Sequence, residues 1–265
     1  MSKSNAAQNI NGWIIIDKPT GITSSAVVNK IKWACSARKA GHAGTLDPSA
    51  TGILAIALGE ATKTIPFVTE QIKSYTFEVK WGEATDSDDS DGKIIKTSQM
   101  RPSEQDIIAI LPRFRGEIKQ TPPFFSAVKI NGRRAYELAR SGEDFDIASR
   151  SLFVSSLKLE KYISENSAIL SLECGKGGYV RSIARDLGLE LGCYGHVKWL
   201  RRLASGSFNL SMAHSLDTIL KLNKTSAVNN FILPVELGLS TIKHGTCTST
   251  AAEKIKNGNS APILC

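Results

Sequence analysis

The sequence has few cysteines, and their arrangement excludes two classes of protein. It contains five, an odd number, scattered without a Cys-x-x-Cys pair. Neither a zinc site nor the disulfide framework of a small secreted domain is therefore expected. We expect each cysteine to be a small buried hydrophobic side chain in a protein of the reducing cytoplasm. The cysteines are Cys35, Cys174, Cys193, Cys247 and Cys265.

Long apolar segments are missing as well. The sequence has no run of about 18 apolar residues, so a membrane-spanning helix is not expected. Residues 1–10 are polar and have too few apolar side chains for a signal peptide. Both observations favour a cytoplasmic protein.

Acidic residues are in deficit. The chain has 25 Asp and Glu against 33 Lys and Arg, which gives a net charge of +8. Such a balance favours a polyanionic partner, because cationic surfaces release counterions from phosphate backbones. The length of 265 residues is enough for one large core.

The sequence also lacks intact phosphate-loop and calcium-loop motifs. The glycines of Gly175–Gly178 are not followed by Gly-Lys-Ser/Thr, and Val180 stands where a dinucleotide fingerprint needs glycine. The acidic run Asp86–Gly92 has Asp91 where a calcium loop needs glycine and Thr97 where it needs glutamate, so we expect a polar hairpin turn. The four histidines show no metal-ligand spacing. No metal site is predicted.

Apolar periodicity predicts strands and helices in an irregular order. The predicted strands are Trp13–Asp17, Ile53–Leu58, Tyr75–Trp81 and Ala168–Leu172. Predicted helices begin near Thr23–Ser25, after Ser103 and after Gly178. The strand Ile53–Leu58 is predicted to be buried on both faces, and Tyr75–Trp81 alternates like a half-buried strand. This order predicts an α+β fold with a mixed, mostly antiparallel sheet and flanking helices.

The most informative segment is the loop Gly41–Pro48, directly before the strand Ile53–Leu58. It contains one carboxylate, Asp47, among small residues that would let a flat substrate approach the backbone closely. The alternative is an ordinary turn, since Asp before Pro often starts one. The loop alone leaves both interpretations open.

Motifs along most of the chain resemble those of the TruB family of tRNA pseudouridine synthases. They occur in the family's order and extend roughly from Gly12 to Leu210. The matching segments are Gly12–Pro19, Gly21–Ser24, Gly41–Pro48, Thr51–Gly52, Lys73–Tyr75, Gly82–Asp86, Gln120–Pro123, Ser126–Lys129, Gly132–Tyr136 and Gly178–Ile183. No single segment is specific, but the set is.

The resemblance implies the pseudouridine synthase fold, in which one long curved sheet is split by a central RNA-binding cleft. It implies a catalytic domain over residues 1–235 with an RNA-gripping insertion at about 124–152. The alternative for that insertion is a solvated surface loop. Residues 236–265 would then be a short remnant, or the truncated start, of a C-terminal PUA-like module.

The activity that the resemblance implies is isomerisation of uridine 55 in the T-loop of tRNA. Nothing is oxidised or reduced and no energy is consumed, so no cofactor is expected. The partner is the tRNA T-arm, and a monomer is expected. Asp47 matches the family's catalytic aspartate, a nucleophile or a stabiliser of positive charge that acts on a flipped-out uridine.

Two further catalytic assignments come from the resemblance. Tyr75 matches an active-site tyrosine that holds the flipped base and can take part in proton transfer. Arg181 matches an arginine that pairs with the aspartate and orients it in its charged form. Without the family, Tyr75 is a core residue of its strand. Arg181 and Arg185 are then solvated charges on one helix face.

The remaining site residues are substrate contacts. Tyr179 and Leu200 match pocket-lining positions, and His42 matches a residue that occupies the space vacated by the flipped base. Candidate phosphate contacts are Lys18, Arg133, Arg134, Arg140, Arg150, Lys198, Arg201 and Arg202. Two alternatives to the main function stay open: an RNA-binding folding chaperone without essential catalysis, and a synthase that modifies another RNA.

Overall fold

The computed structural model describes residues 10–222 and 225–263. The strands in this part of the chain are β1 Gly12–Lys18, β2 Ala40–His42, β3 Thr51–Leu58, β4 Lys73–Trp81, β5 Glu83–Thr85, β6 Ile94–Thr97, β7 Gly116–Gln120, β8 Lys129–Ile130, β9 Arg133–Arg134, β10 Arg150–Ser164, β11 Ser167–Cys174, β12 Gly195–Ser205, β13 Phe208–Asn209 and β14 His214–Ser215. The α-helices are α1 Ser24–Ala34, α2 Ile65–Glu70, α3 Glu104–Ile110, α4 Ala135–Arg140, α5 Val180–Glu190, α6 Leu216–Leu222 and α7 Ser249–Lys256.

Ten of these strands form one sheet in the order β14-β1-β3-β12-β4-β11-β10-β7, with β2 paired to β3 and β13 paired to β12. The β1–β14 and β3–β12 pairs are parallel, and the other pairs are antiparallel. The predicted α+β class with a mixed, mostly antiparallel sheet is confirmed.

A narrow junction joins the two parts of the sheet. Strands β3 and β12 pair only where Thr51 meets Arg201 and Gly52 meets Arg202. Gly52 has a φ of +100°, and a Cβ there would lie 2.1 Å from the Arg202 carbonyl oxygen. Only glycine fits this close backbone approach. The loop that carries Asp47 ends directly before this junction.

Each part of the sheet has its own core. Helices α1 and α6 cover one face of β1 and β3, and Phe208 and residues near the C-terminus cover the other. The prediction that Ile53–Leu58 is buried on both faces is therefore confirmed. Beyond the junction, α3 and α5 pack on β4, β11 and β10.

Strand β4 differs from the prediction on its polar side. Its apolar side chains, from Tyr75 to Trp81, are buried as expected. Glu78 on the opposite side is only 5% exposed, however. Its carboxylate accepts hydrogen bonds from side chains of β12, so the polar side of the strand is partly buried as well.

The cysteines follow the prediction at three positions. Cys35, Cys174 and Cys193 are buried with free thiols. Cys247 is exposed, so the prediction is wrong there, because the segment before α7 packs on no core cluster of the described chain. Cys265 lies outside the described residues.

The proposed insertion lies between β7 and β10, which pair with each other. It contains the β8–β9 hairpin and helix α4, so it is more than an irregular surface loop. Near the C-terminus, the Val235 carbonyl accepts a hydrogen bond from the Trp13 indole at 3.3 Å. Among the described residues, no helix is both long and apolar enough for a membrane span.

Candidate active site

Asp47 lies in the loop between β2 and β3, at the junction of the sheet. Its side chain is 36% exposed. It lines a small open cavity together with Asp89, Arg181, Trp199 and Leu200. The structure thus brings Asp47, Arg181 and Leu200 of the predicted site together.

Buried polar side chains anchor this loop through its backbone. Arg202 donates to the carbonyls of Gly44 at 3.0 Å, Thr45 at 3.3 Å and Ile53 at 2.7 Å. Ser24 Oγ both donates to the Leu46 carbonyl and accepts from its N–H, at 2.9 Å each.

The loop also turns at Asp47 itself, whose carbonyl accepts from the Ala50 N–H at 3.1 Å. The segment is therefore a turn whose backbone is held by buried side chains of other elements.

Lys18 is not a phosphate contact, and that prediction is wrong. Its side chain is fully buried, and its ammonium donates to the carbonyls of Pro19, Ile22 and Pro48 at 2.9, 2.8 and 3.0 Å. Burial lowers the pKa of Lys18 to about 8. Arg202, 1% exposed, is excluded as a phosphate contact for the same reason. Both cations hold the Asp47 loop.

Arg181 meets the Asp47 carboxylate with two donors. Its Nε lies 2.9 Å from Oδ2 and its Nη2 lies 3.2 Å from Oδ1. The same guanidinium donates to the carbonyls of Ser87 at 2.9 Å and Phe125 at 3.0 Å. Arg181 is 5% exposed, so the alternative of a solvated helix charge is wrong for it. The catalytic role of the pair stays a prediction.

The start of α5 is fixed in place by the end of β7. The Tyr179 N–H donates to Gln120 Oε1 at 2.9 Å, and Gln120 Nε2 donates to the Tyr179 carbonyl at 3.1 Å. Ser182 Oγ donates to the Thr121 carbonyl at 2.8 Å. These bonds set the position from which Arg181 reaches Asp47.

The acidic run of the sequence contributes to the site in a way that sequence reasoning missed. It is a hairpin turn between β5 and β6, as predicted, but Asp88 in it is buried and Asp89 is half-buried. Asp88 pairs with Arg185 at 2.9 Å, and Asp89 lies 3.6 Å from Arg181. Burial raises the pKa of Asp88 to about 6, against the opposing effect of Arg185. The sequence contained one signal for these contacts: Arg181 and Arg185 are four residues apart and therefore lie on the same face of their helix.

Tyr75 is a core residue, as one of its two interpretations predicted, and it is not among the residues that line the Asp47 cavity, so its active-site role stays a prediction. It is 8% exposed and belongs to the core cluster on β4. Its register partner on β12 is Arg202. Burial raises the pKa of the Tyr75 phenol, while the Arg202 guanidinium acts in the opposite direction.

His42 and Tyr179 are not among the residues that line the Asp47 cavity. Burial, followed by the charge of Arg202, lowers the pKa of His42 and favours a neutral imidazole. Burial raises the pKa of the Tyr179 phenol, and the neighbouring Ser126 side chain acts in the opposite direction.

Arg133 and Arg134 are exposed on β9 in the insertion, away from the cavity. Arg133 pairs with Glu143 at 2.9 Å, and Arg134 donates to the Ala127 carbonyl at 2.6 Å. Their exposure leaves both within reach of a large ligand. Within the described ranges, no group of three His, Cys, Asp or Glu side chains is placed to hold a metal ion.

Solved structures share the fold of this chain. A "Cbf5-Nop10-Gar1 Complex" chain matches with a TM-score of 0.72 and 27% identity, over 93% of this chain and 67% of that one. A chain of an "H/ACA RNP bound to a substrate RNA containing 2'-deoxyuridine" shares the fold, with a TM-score of 0.73 and 24% identity, over 96% of this chain and 69% of that one.

The sequence comparisons are more specific. Residues 32–180 match the model "TruB family pseudouridylate synthase (N terminal domain)", and residues 181–240 match "tRNA pseudouridylate synthase B C-terminal domain". The tRNA pseudouridine synthase B of Dinoroseobacter shibae is 53% identical over 98% of this chain and 85% of its own length. That of Ruegeria pomeroyi is 50% identical over 98% and 86%. The chain belongs to the TruB family of pseudouridylate synthases.

Proposed function

We propose that this protein converts uridine to pseudouridine at position 55 in the T-loop of tRNA. The observation that carries the proposal is the two-donor contact between Arg181 and Asp47 at the sheet junction. Membership of the TruB family and relatives named tRNA pseudouridine synthase B support the reaction and the substrate.

The reaction is an isomerisation that needs a charged group more than a cofactor. The bond between N1 of the base and the anomeric carbon breaks, the base rotates, and C5 bonds to the same carbon; the C5 hydrogen leaves as a proton and N1 gains one. Asp47 acts as the nucleophile, or stabilises the positive charge that develops at the anomeric carbon. Arg181 orients the carboxylate through both of its oxygens.

The substrate base must leave the RNA stack to reach Asp47. Leu200 lines the cavity, and Tyr75 lies on the neighbouring strand with its hydroxyl near Arg202. We expect these two side chains to hold the flipped ring, and Tyr179 and His42, which do not line the cavity, to contact the substrate RNA beside it. The exposed Arg133 and Arg134 of the insertion contact the phosphates of the T-arm.

The protein acts as a monomer in the cytoplasm. Support for a monomer comes from the site itself, since one chain supplies both Asp47 and Arg181. The cytoplasmic location follows from the proposed substrate and from a cysteine usage without paired motifs.

The test is release of tritium from [5-³H]uridine-labelled tRNA, followed by mapping of the modified position. We expect release from position 55 by the wild type and none by Asp47→Asn. Modification confined to another RNA would overturn the choice of substrate. Tight tRNA binding without any release would overturn the reaction and favour the folding-chaperone alternative.

A further inference from the structure

One tryptophan differs from its buried counterparts in the sheet. Trp13 and Trp81 are 0% and 1% exposed, whereas Trp199 on β12 is 37% exposed and lines the cavity with Asp47. An indole face open to solvent beside a nucleotide site is suited to base stacking, because every base has a π-face.

The Trp199 indole is held in one orientation. Its Nε1 donates to Glu78 Oε2 at 2.6 Å, and Lys198 Nζ donates to the other oxygen of Glu78 at 2.9 Å. Burial alone would raise the pKa of Glu78, but the hydrogen bonds from Lys198, Trp199 and Ser167 outweigh it and lower that pKa. A charged carboxylate on β4 therefore anchors two neighbouring side chains of β12.

An irregularity in β12 makes this double contact possible. Val197 pairs with Val79 and Trp199 pairs with Glu78, so one extra residue, Lys198, stands between the two register positions. Such a bulge lets consecutive side chains reach the same side of a strand. A regular strand would direct Lys198 and Trp199 to opposite faces.

We propose that Trp199 and Lys198, anchored by Glu78, form a nucleotide-binding subsite beside the Asp47 cavity, where the indole stacks on the base of a nucleotide next to the target uridine and the ammonium contacts its phosphate. This inference rests on the proposed function. Extrusion of the uridine removes a stacking partner from each of its neighbours. An aromatic face beside a cation replaces that partner and binds the adjoining backbone charge.

The test compares binding of a T-arm hairpin by wild type, Trp199→Ala and Trp199→Phe. Trp33→Ala is the matched control, because Trp33 is 54% exposed but lies on α1 and does not line the cavity. We expect Kd to rise about 5- to 150-fold in Trp199→Ala, the usual range for loss of one stacked base, and much less in Trp199→Phe. Trp33→Ala should bind like the wild type.

A hairpin with an abasic site at one flanking nucleotide identifies the stacked base. At that position the wild type should bind as weakly as Trp199→Ala binds the intact hairpin, and Trp199→Ala should lose nothing further. A Trp199→Ala penalty that persists with abasic sites at both flanking positions would overturn the stacking assignment. So would a Trp199→Ala Kd equal to that of Trp33→Ala.

Glu78→Gln tests the anchor. If Glu78 positions Trp199 and Lys198, this substitution should raise KM more than it lowers kcat. The melting temperature of the variant should stay close to that of the wild type. Equal loss of kcat and kcat/KM would contradict that role. The two proposals fail separately: without the proposed function the wild type itself releases no tritium, whereas without the subsite Trp199→Ala binds and turns over normally.

Discussion

Replacement of Arg181 by lysine separates two effects on the Asp47 carboxylate, its orientation and the positive charge beside it. The guanidinium reaches both oxygens of Asp47 and the carbonyls of Ser87 and Phe125. Lysine keeps the positive charge but has one nitrogen, which cannot reproduce a planar two-donor contact. Arg181→Lys therefore removes about one hydrogen bond to Asp47 and leaves carbonyls short of a donor.

The geometry sets the size of the effect. A hydrogen bond to a charged group contributes about 1.5–3 kcal/mol. If that bond is made in the transition state, its removal lowers kcat about 10- to 150-fold, because ~1.36 kcal/mol is a factor of ten. Loss of the bonds to the part-buried Ser87 and Phe125 carbonyls also lowers the free energy of unfolding, by at most ~1–3 kcal/mol for each carbonyl left unpaired.

The assay is single-turnover tritium release at saturating enzyme, with thermal unfolding measured on the same preparations. Arg185→Lys is the matched control, since Arg185 lies one turn further along α5 and contacts Asp88 and the Thr121 carbonyl but not Asp47. It should lose stability without a comparable loss of kcat. Turnover by Arg181→Lys within about twofold of Arg185→Lys would refute the orienting role of Arg181.

Four further predictions test the other assignments. Asp47→Asn should lower kcat at least about a thousandfold, which corresponds to a barrier higher by ~4 kcal/mol, with tRNA Kd unchanged in filter binding; activity within about tenfold of wild type would contradict it. Tyr75→Phe should bind tRNA normally yet lose most turnover, and Tyr75→Leu more; a fully active Phe variant would make Tyr75 a core residue only. The double variant Arg133→Gln, Arg134→Gln should raise KM more than it lowers kcat. It should also make the slope of log K for RNA binding against log salt concentration shallower, by roughly 0.7–0.9 for each phosphate that is no longer neutralised. An unchanged slope would exclude these arginines from binding the RNA backbone. Burial lowers the pKa of Lys18 from 10.5 to about 8. Between those pH values the unfolded chain binds more protons than the folded one, so the stability of the wild type should rise with pH relative to that of Lys18→Met. Urea unfolding measures this difference, and a difference that does not change with pH would contradict the prediction.

Most of the secondary structure could be predicted because its causes are local. The run Ile53–Leu58 is apolar at every position, so it forms a strand wherever both faces can be covered. Thr23 caps α1, and Ser103 and Asp106 form a capping box at the start of α3. Each signal acts within one turn or one strand, where the sequence alone contains it.

The buried charges could not be predicted in the same way. A lysine or an acidic residue at an alternating position indicates a solvent-facing side chain. Lys18 and Glu78 break this rule because their partners come from elsewhere in the chain: Pro48 is 30 residues from Lys18, and Trp199 is 121 residues from Glu78. No local pattern encodes such a partner. Only the resemblance, through its aspartate–arginine pair, indicated a distant contact.

Three buried cations hold the Asp47 loop in position before substrate binds. Lys18, Arg181 and Arg202 are all at most 5% exposed, and each donates to backbone carbonyls of this loop or its neighbours. Carbonyl groups accept hydrogen bonds from the buried cations but, unlike carboxylates, do not cancel their charge. Carboxylates offset part of that charge at Arg181, because Asp47 lies 2.9 Å and Asp89 3.6 Å from its guanidinium, and Asp89 lines the same cavity. Because burial of each cation depends on its carbonyl partners, displacement of the loop would leave charges unpaired, and this penalty holds Asp47 at the cavity.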